Sequence, residues 1–520
     1  MNVYELYSKS LEQYTAKNYN AALKILEEIK IFAPDYKKAY YMEANIWNKL
    51  KNPFKECYAL EKYLSLLDLS SIQNKNFIAE IFVHFGDIIA HNLYLWDKAA
   101  KAYLLCLKLT DKKNLTDYVA RDICFLTNVI ENYSATDFRA IYAECKKVYC
   151  SDVTFPKRFY NHKRIRLGFL SADFRKHPVI NWTWSLLTKL DKKFFEVYCY
   201  SNVKKPDKIT DYLSKTVEHW REIRDLTDEA VAKLIFDDEI DILFDLNGHT
   251  EGTRIHVAAY RPATVQISGI GYMNSTGLDC FDYFLSDIYC AGDENYFTEK
   301  LIKLPHSHIC YEPSIKIEPA NTPPCLKNGF VTFGSFNNFG KMTSSVLSTW
   351  KKILDAVPNS RLILKHYTFT TDEEKNFIGD HLKSFGFDLT RVEMRPYTAN
   401  HLVEYGDVDI ELDTFPYTGG VTTCEALYMG VPVVSLYGAR HGSRFGLSIL
   451  KNIGIEELAV DSYENYIERA VALAGDWELL TILRKNLRTM MEKSPLMDSA
   501  NYIREIEEVF IKILNDERNR

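Results

Sequence analysis

The stretch Asp409-Ile-Glu-Leu-Asp-Thr-Phe-Pro-Tyr-Thr418-Gly419-Gly420-Val421-Thr422-Thr423-Cys-Glu425-Ala-Leu-Tyr-Met-Gly-Val-Pro-Val-Val-Ser-Leu436 decides how the rest of the chain is read. Val408, Ile410 and Leu412 alternate with polar residues, the period of a strand. A turn rich in Pro, Gly and Thr follows. Thr422 to Met429 then reads as a helix, and Val431 to Leu436 as a buried strand. Strand, glycine loop, helix and strand form the layout of a phosphate site in an α/β domain. Gly419 and Gly420 let the backbone approach a ligand closely, and the helix offers free N–H groups and a positive dipole end. Thr422 and Thr423 add hydroxyl donors. The pattern predicts a bound nucleotide diphosphate.

Working outward, 520 residues exceed what one hydrophobic core serves. Apolar content of 47% and charged content of 26% are those of a globular protein. A net charge of −6 gives no pull toward nucleic acid. Eleven cysteines, without a C-x-x-C pair, argue against a disulfide framework and a zinc ribbon. They fit reduced thiols in a cytoplasmic protein. The amino terminus lacks a secretory pattern, and no apolar run is long enough to cross a membrane.

Residues 1–152 read as helical repeats. Tyr19-Asn-Ala-Ala-Leu, Phe54 with Cys57, Ala59 and Tyr63, and Trp96 to Cys106 resemble second helices of tetratricopeptide units. An insertion near Ser65 to Lys75 displaces the third. Ser134 or Thr136 is a cap for one more helix. Stacked pairs form a groove suited to a protein or peptide, or cap the next domain.

Residues 160–313 alternate strands (166–171, 194–200, 218–223, 240–246 and 282–286) with a helix at 227–237. That alternation predicts a parallel sheet covered on both faces. Residues 261–277 read as loop, and 296–305 as the exit. Four prolines place a linker at 312–328. Residues 329–496 form a second α/β unit, and 497–520 a terminal helix. Ligand groups gather at the carboxyl ends of strands. His177, His249, Lys341 and the 419–423 loop all fall there. A lysine in such a loop can neutralise a leaving diphosphate. A loop histidine can act as base or donor. Glu425 can favour the helix dipole or bind ribose hydroxyls, and His401 can touch a nucleoside. Asp407 and Asp409 read as the polar face of a strand. No cluster has metal-ligand spacing, and the P-loop pattern of NTPases is absent.

Seven motifs run in order: Asp173-Phe-x-x-His177-Pro178; Asp245-Leu-Asn-Gly-His249-Thr; Arg261-Pro-Ala-x-x-Gln266; Gly271-Tyr-x-Asn-x-Thr-Gly277; Tyr296-x-x-Glu-Lys-Leu-x-x-Leu-Pro305; Ser335-Phe-Asn-Asn-x-x-Lys341; and Leu412-Asp-Thr-Phe-Pro-Tyr-x-Gly-Gly-x-Thr-Thr-x-Glu-Ala-Leu-x-Met-Gly-Val-Pro432. With repeats before them, they resemble the O-linked N-acetylglucosaminyltransferase family, including its SPINDLY branch. The resemblance implies a GT-B architecture: two Rossmann-like domains around a cleft, preceded by the all-α solenoid. It implies inverting, metal-independent transfer of a sugar, N-acetylglucosamine from UDP-N-acetylglucosamine, to Ser or Thr of a protein held through the repeats. Lys341, His249 and His177 are the catalytic residues it implies. Asn338, His401, Thr418, Gly419, Gly420, Val421, Thr422, Thr423 and Glu425 bind the nucleotide sugar; no metal and no other cofactor is implied. Met273, Thr398 and Glu404 depart from the animal pattern toward the SPINDLY branch, some of whose members use GDP-fucose. The alternatives are such a fucosyltransferase or a non-catalytic repeat protein.

Overall fold

The computed structural model describes residues 2–71, 73–313 and 315–519. Residue 72, in the expected insertion, and residue 314, in the expected linker, lie outside the described residues. Two compact units emerge, Met1–Leu126 and Thr127–Arg520.

The first unit is helical. Val3–Thr15 pairs with Tyr19–Phe32, Lys37–Lys49 with Pro53–Ser65, and Lys75–Ile88 with Trp96–Leu109, followed by Lys113–Leu126. Small residues of the second helices, Ala22, Ala59, Ala99 and Ala102, are buried where helix axes approach. Gly86 does the same from a first helix: a Cβ there would stand 2.5 Å from the Tyr103 ring. These are the small-and-large contacts that the repeat pattern needs.

The second unit contains two parallel sheets. The first runs β3-β2-β1-β4-β5-β6-β7, with β1 Ile165–Ser171, β2 Phe195–Ser201, β3 His219–Glu222, β4 Ile242–Asp245, β5 Val265–Gly269, β6 Tyr283–Asp287 and β7 Lys300–Leu304. The second runs β10-β9-β8-β11-β12-β13, with β8 Thr332–Ser335, β9 Arg361–Lys365, β10 Val392–Arg395, β11 Ile410–Leu412, β12 Val433–Leu436 and β13 Ala459–Val460. Both are Rossmann-like, so the architecture is GT-B. The central strands are buried on both faces, as their apolar runs require. Strand order reverses between β1 and β4 and between β8 and β11. Those switch points open crevices at the carboxyl ends of the strands.

Two strands and one acidic residue differ from the sequence reading. β5 lies inside the stretch read as loop, and β7 inside the stretch read as exit. Gln266 and Ser268 break the apolar run of β5. Both are buried because Gln266 Nε2 donates to the carbonyls of Ala258 (2.9 Å) and Cys280 (2.6 Å), and Ser268 donates to Asp245 (3.1 Å). Asp409 is no solvent-facing residue. Its buried carboxylate accepts the N–H groups of Cys325 (2.9 Å) and Thr332 (2.8 Å), while Asp407 pairs with Arg395.

Helix Ala135–Lys146, counted with the repeats in the sequence, packs within the second unit. Ser134 caps it through a reciprocal capping box. Phe138 meets Tyr296 at 5.4 Å, and Lys146 pairs with Asp279. Thr127 to Glu131 reach further. The Thr127 carbonyl accepts from Arg440 (2.7 Å), and Glu131 from the hydroxyls of Thr343 and Ser345. The segment therefore touches both Rossmann-like halves. The last helix, Ser499–Arg518, returns to the first sheet, with Phe510 against Phe195 and Phe244. Among the described residues, no helix is long and apolar enough to cross a membrane.

Candidate active site

The glycine loop leaves β11 at Leu412. The Asp413 carboxylate, fully buried, accepts the N–H of Thr414 (2.9 Å), the N–H of Gly419 (2.6 Å) and the Ser435 hydroxyl (2.7 Å). These three donors close residues 413–419 into a fixed loop. Thr418 then donates both its N–H (3.1 Å) and its hydroxyl (3.0 Å) to the Gly442 carbonyl. Its own carbonyl is left for the Lys341 ammonium, 3.0 Å away. That ammonium sits 3.7 Å above the Tyr417 ring, a cation–π contact. Burial draws the Lys341 pKa down to about 8, opposed by Asp413 nearby.

Helix Val421–Tyr428 starts directly at the loop, with its unpaired N–H groups at Gly420 and beyond. Gly419 has no room for a side chain: a Cβ would lie 2.5 Å from Thr423 Oγ1 and 2.9 Å from Asp413 Oδ1. At Gly420 the obstacle comes from the other half. Trp182, on helix Ile180–Thr188 after the His177 loop, would stand 2.5 Å from a Cβ. Thr422 donates to Asn337 (3.1 Å), and Thr423 Oγ1 is buried without a partner.

On the short helix after β10, His401 Nε2 lies 3.1 Å from Glu425 Oε1. His401 Nδ1 is buried and unpartnered. Tyr397 lies against the imidazole with ring centroids 5.7 Å apart. Beyond them sits a group that sequence reading missed. Lys365, buried at the end of β9, donates to the Pro396 carbonyl (2.6 Å), Thr398 Oγ1 (3.2 Å) and Glu404 Oε1 (2.7 Å). Burial pushes the Glu404 carboxyl up, but hydrogen bonds from Lys365 and Thr398 outweigh it and hold the group below its usual range. A lysine closing the apolar run Leu362-Ile-Leu was the available signal.

In the first half, Asn247 ties two loops together. Its Oδ1 accepts from the Ala172 N–H (2.7 Å), and its Nδ2 donates to Asp173 (2.9 Å). His177 keeps 31% of its side chain exposed, with Nδ1 3.6 Å from Asp173. Burial lowers its pKa despite that carboxylate. His249 is enclosed. Its ring centroid lies 5.4 Å from those of both Tyr149 and Tyr272, and burial draws its pKa down to about 4. Nε2 lies 2.7 Å from the Thr276 carbonyl; a carbonyl can only accept, so the proton sits on Nε2. Gly248, at φ 52°, backs onto the Tyr272 ring, which a Cβ would meet at 2.5 Å.

The structure thus gathers Lys341, Thr418 to Thr423, His401 and Glu425 around one loop. Asn338 is exposed and accepts from the Gly340 N–H (2.8 Å) in its own turn, next to Asn337, which accepts from Thr422. The arrangement offers a cation, a helix dipole and an acidic–imidazole pair around the carboxyl ends of the second sheet. That combination suits a diphosphate with a nucleoside attached.

Glycosyl transferase family 41 matches residues 141–313 and 321–506. The probable UDP-N-acetylglucosamine–peptide N-acetylglucosaminyltransferase SPINDLY of Solanum lycopersicum is 40% identical over 353 residues, 66% of this chain and 38% of that protein. The Arabidopsis thaliana protein SEC, with the same probable activity in its name, is 29% identical over 375 residues, 69% of this chain and 38% of that one. The chain thus spans under two-fifths of the length of these relatives. A mutant O-GlcNAc transferase of Thermobaculum terrenum superposes with a TM-score of 0.78 at 26% identity, over 99% of this chain and 98% of that one. On the family match and the shared fold, the chain belongs to glycosyl transferase family 41.

Proposed function

We propose that the chain is an inverting, metal-independent protein O-glycosyltransferase that moves N-acetylglucosamine from UDP-N-acetylglucosamine to Ser or Thr of a protein. The observation that carries this is Lys341, held over Tyr417 beside the free amino end of helix Val421–Tyr428. The names of the relatives support the donor. The acceptor oxygen attacks the anomeric carbon as the bond to the diphosphate breaks with its electron pair. Lys341 and the N–H groups at 420–423 receive the departing charge. Neutral His177 has a ring nitrogen free of a proton and takes the one lost by the hydroxyl. Enclosed His249 holds the 247–250 loop from behind. His401 and Glu425 hold the nucleoside and ribose, and the helical repeats hold the acceptor protein. Eleven free cysteines support a cytoplasmic setting.

A second reading, a GDP-linked donor such as GDP-fucose, is favoured by Glu404. Guanine presents two adjacent N–H donors to a carboxylate, and uracil presents one. Transfer to host-lysate protein from radiolabelled UDP-N-acetylglucosamine, UDP-glucose and GDP-fucose separates the readings. Lys341→Ala abolishes transfer with circular dichroism unchanged; near-normal turnover would sink the assignment. Calorimetry that detects neither UDP nor GDP binding would instead favour a non-catalytic repeat protein.

A further inference from the structure

Outside the donor site, three buried side chains converge from both Rossmann-like halves. Cys290 follows β6 and His308 follows β7. His441 lies in the turn after β12. The sulfur and ring nitrogens lie within 4.8 Å of one another, and the three residues are 0%, 1% and 1% exposed. We propose that Cys290, His308 and His441 bind a Zn²⁺ ion that pins the two halves together.

The second partner of each imidazole fixes its tautomer. His308 Nδ1 is 2.5 Å from Asp287 Oδ2. That carboxylate also accepts the N–H groups of Cys290 (2.7 Å) and His308 (3.0 Å) and the Ser448 hydroxyl (2.9 Å). His441 Nδ1 is 3.2 Å from the Met273 carbonyl. Neither oxygen can donate, so both rings carry a proton on Nδ1, which leaves Nε2 as the nitrogen open to a metal. Both Nε2 atoms are buried and lack a hydrogen-bond partner. Carboxylate or carbonyl on one nitrogen and a metal on the other is the usual arrangement of ligating histidine.

The ring positions fit as well. Two imidazoles bound through Nε2 to one tetrahedral zinc, at roughly 2.0–2.1 Å, have centroids about 5 Å apart. Those of His308 and His441 are 5.1 Å apart, at 61°. The competing arrangement is two neutral histidines packed against Phe445, Phe284 and Phe297. It leaves two buried acceptors unpaired, which a cation satisfies. One thiolate and two imidazoles form a borderline-soft set suited to zinc. Binding displaces the thiol proton to solvent and forms the Zn–S bond. Thiolate and Asp287 together balance the two positive charges.

The site is independent of transfer chemistry. It acts on the donor loop only through position, because His441 adjoins Gly442, whose carbonyl holds Thr418. Since all three ligands are buried, the ion enters as the chain folds.

The test uses the full chain expressed in defined medium with Zn²⁺ or Co²⁺. Elemental analysis should find about one ion per chain. The Co²⁺ protein should show tetrahedral d–d bands and a sulfur-to-cobalt charge-transfer band. Cys290→Ser should lose the sulfur band, and His441→Gln should lose the ion; two variants guard against one failing to fold. Asp287→Asn should weaken Zn²⁺ about 10- to 100-fold in chelator competition. Wild-type chain carrying no Zn²⁺ and taking up no Co²⁺ would overturn the proposal. So would a cobalt spectrum without the sulfur band, as ligation by Asp87, His91 and Asp122 would give.

Discussion

On the proposed function, the position of Lys341 should make UDP affinity depend on pH in a range where a surface lysine would not. Its pKa is drawn down to about 8 by burial, from an ordinary 10.5. A diphosphate beside the ammonium restores the charged form, so binding takes up a proton. Below about pH 8 the free site is already protonated and affinity is flat. Above it, each pH unit costs about tenfold until the raised pKa of the complex is reached. Between about pH 7 and about pH 9 the dissociation constant for UDP should therefore rise roughly tenfold, or about 1.4 kcal/mol. An unshifted lysine, with a pKa of about 10.4, would change it by only about 4%. Tyr417, touching the ammonium, is pushed up to about 12 by burial, so it does not titrate in this window. The assay is isothermal titration of UDP at three pH values, in buffers of different ionisation enthalpy, so that proton uptake is read directly. Lys341→Arg should abolish the slope. A constant affinity to about pH 9 with no proton uptake would refute the reasoning.

Three other outcomes follow from distances already given. Gly420→Ala drives a Cβ into the Trp182 ring and should cost about 1–3 kcal/mol in thermal unfolding, relieved by Trp182→Leu; an unchanged melting temperature would show that the contact is not formed. His249 and His366 are each drawn from 6.5 to about 4 by burial, so the unfolded chain binds more protons as pH falls from about 6.5 toward 4. Each should remove about 2 kcal/mol of stability by about pH 5; urea unfolding that is equally cooperative and equally placed at pH 7 and pH 5 contradicts this. Glu404→Gln should weaken GDP by about 1.5–3 kcal/mol if the carboxylate meets guanine, while UDP is nearly unaffected; calorimetry with both nucleotides decides.

The strand, glycine loop and helix at 408–428 were legible because their signals are local. Gly419 and Gly420 follow an alternating strand and precede a helix, and Lys341 leaves the neighbouring strand in the same way. Parallel strands with apolar runs, such as β1, β4 and β12, were equally plain. What escaped depends on partners far away in sequence. β5 carries a Gln and a Ser whose burial is licensed by carbonyls elsewhere. Asp413 reads as an ordinary loop acid until Ser435 and Gly419 are seen to close on it. Lys365 acquires meaning only when Thr398 and Glu404 fold over it. His249 follows the same logic in reverse: its motif marks a reactive residue, while its surroundings enclose it.

Thr127 to Lys146 has a consequence for motion. Its carbonyl and carboxylate grip Arg440, Thr343 and Ser345 in one half, and its helix lies on Tyr296 and Asp279 in the other. With the chain crossing at 312–328 and the returning terminal helix, the halves are mounted at three points instead of hung on one hinge. Three points of attachment should resist a wide clamshell swing more than a single hinge would. On the proposed function, donor exchange should then need only local movement around Trp182 and the glycine loop, and a truncation that keeps the two sheets mounted must retain residue 127 onward.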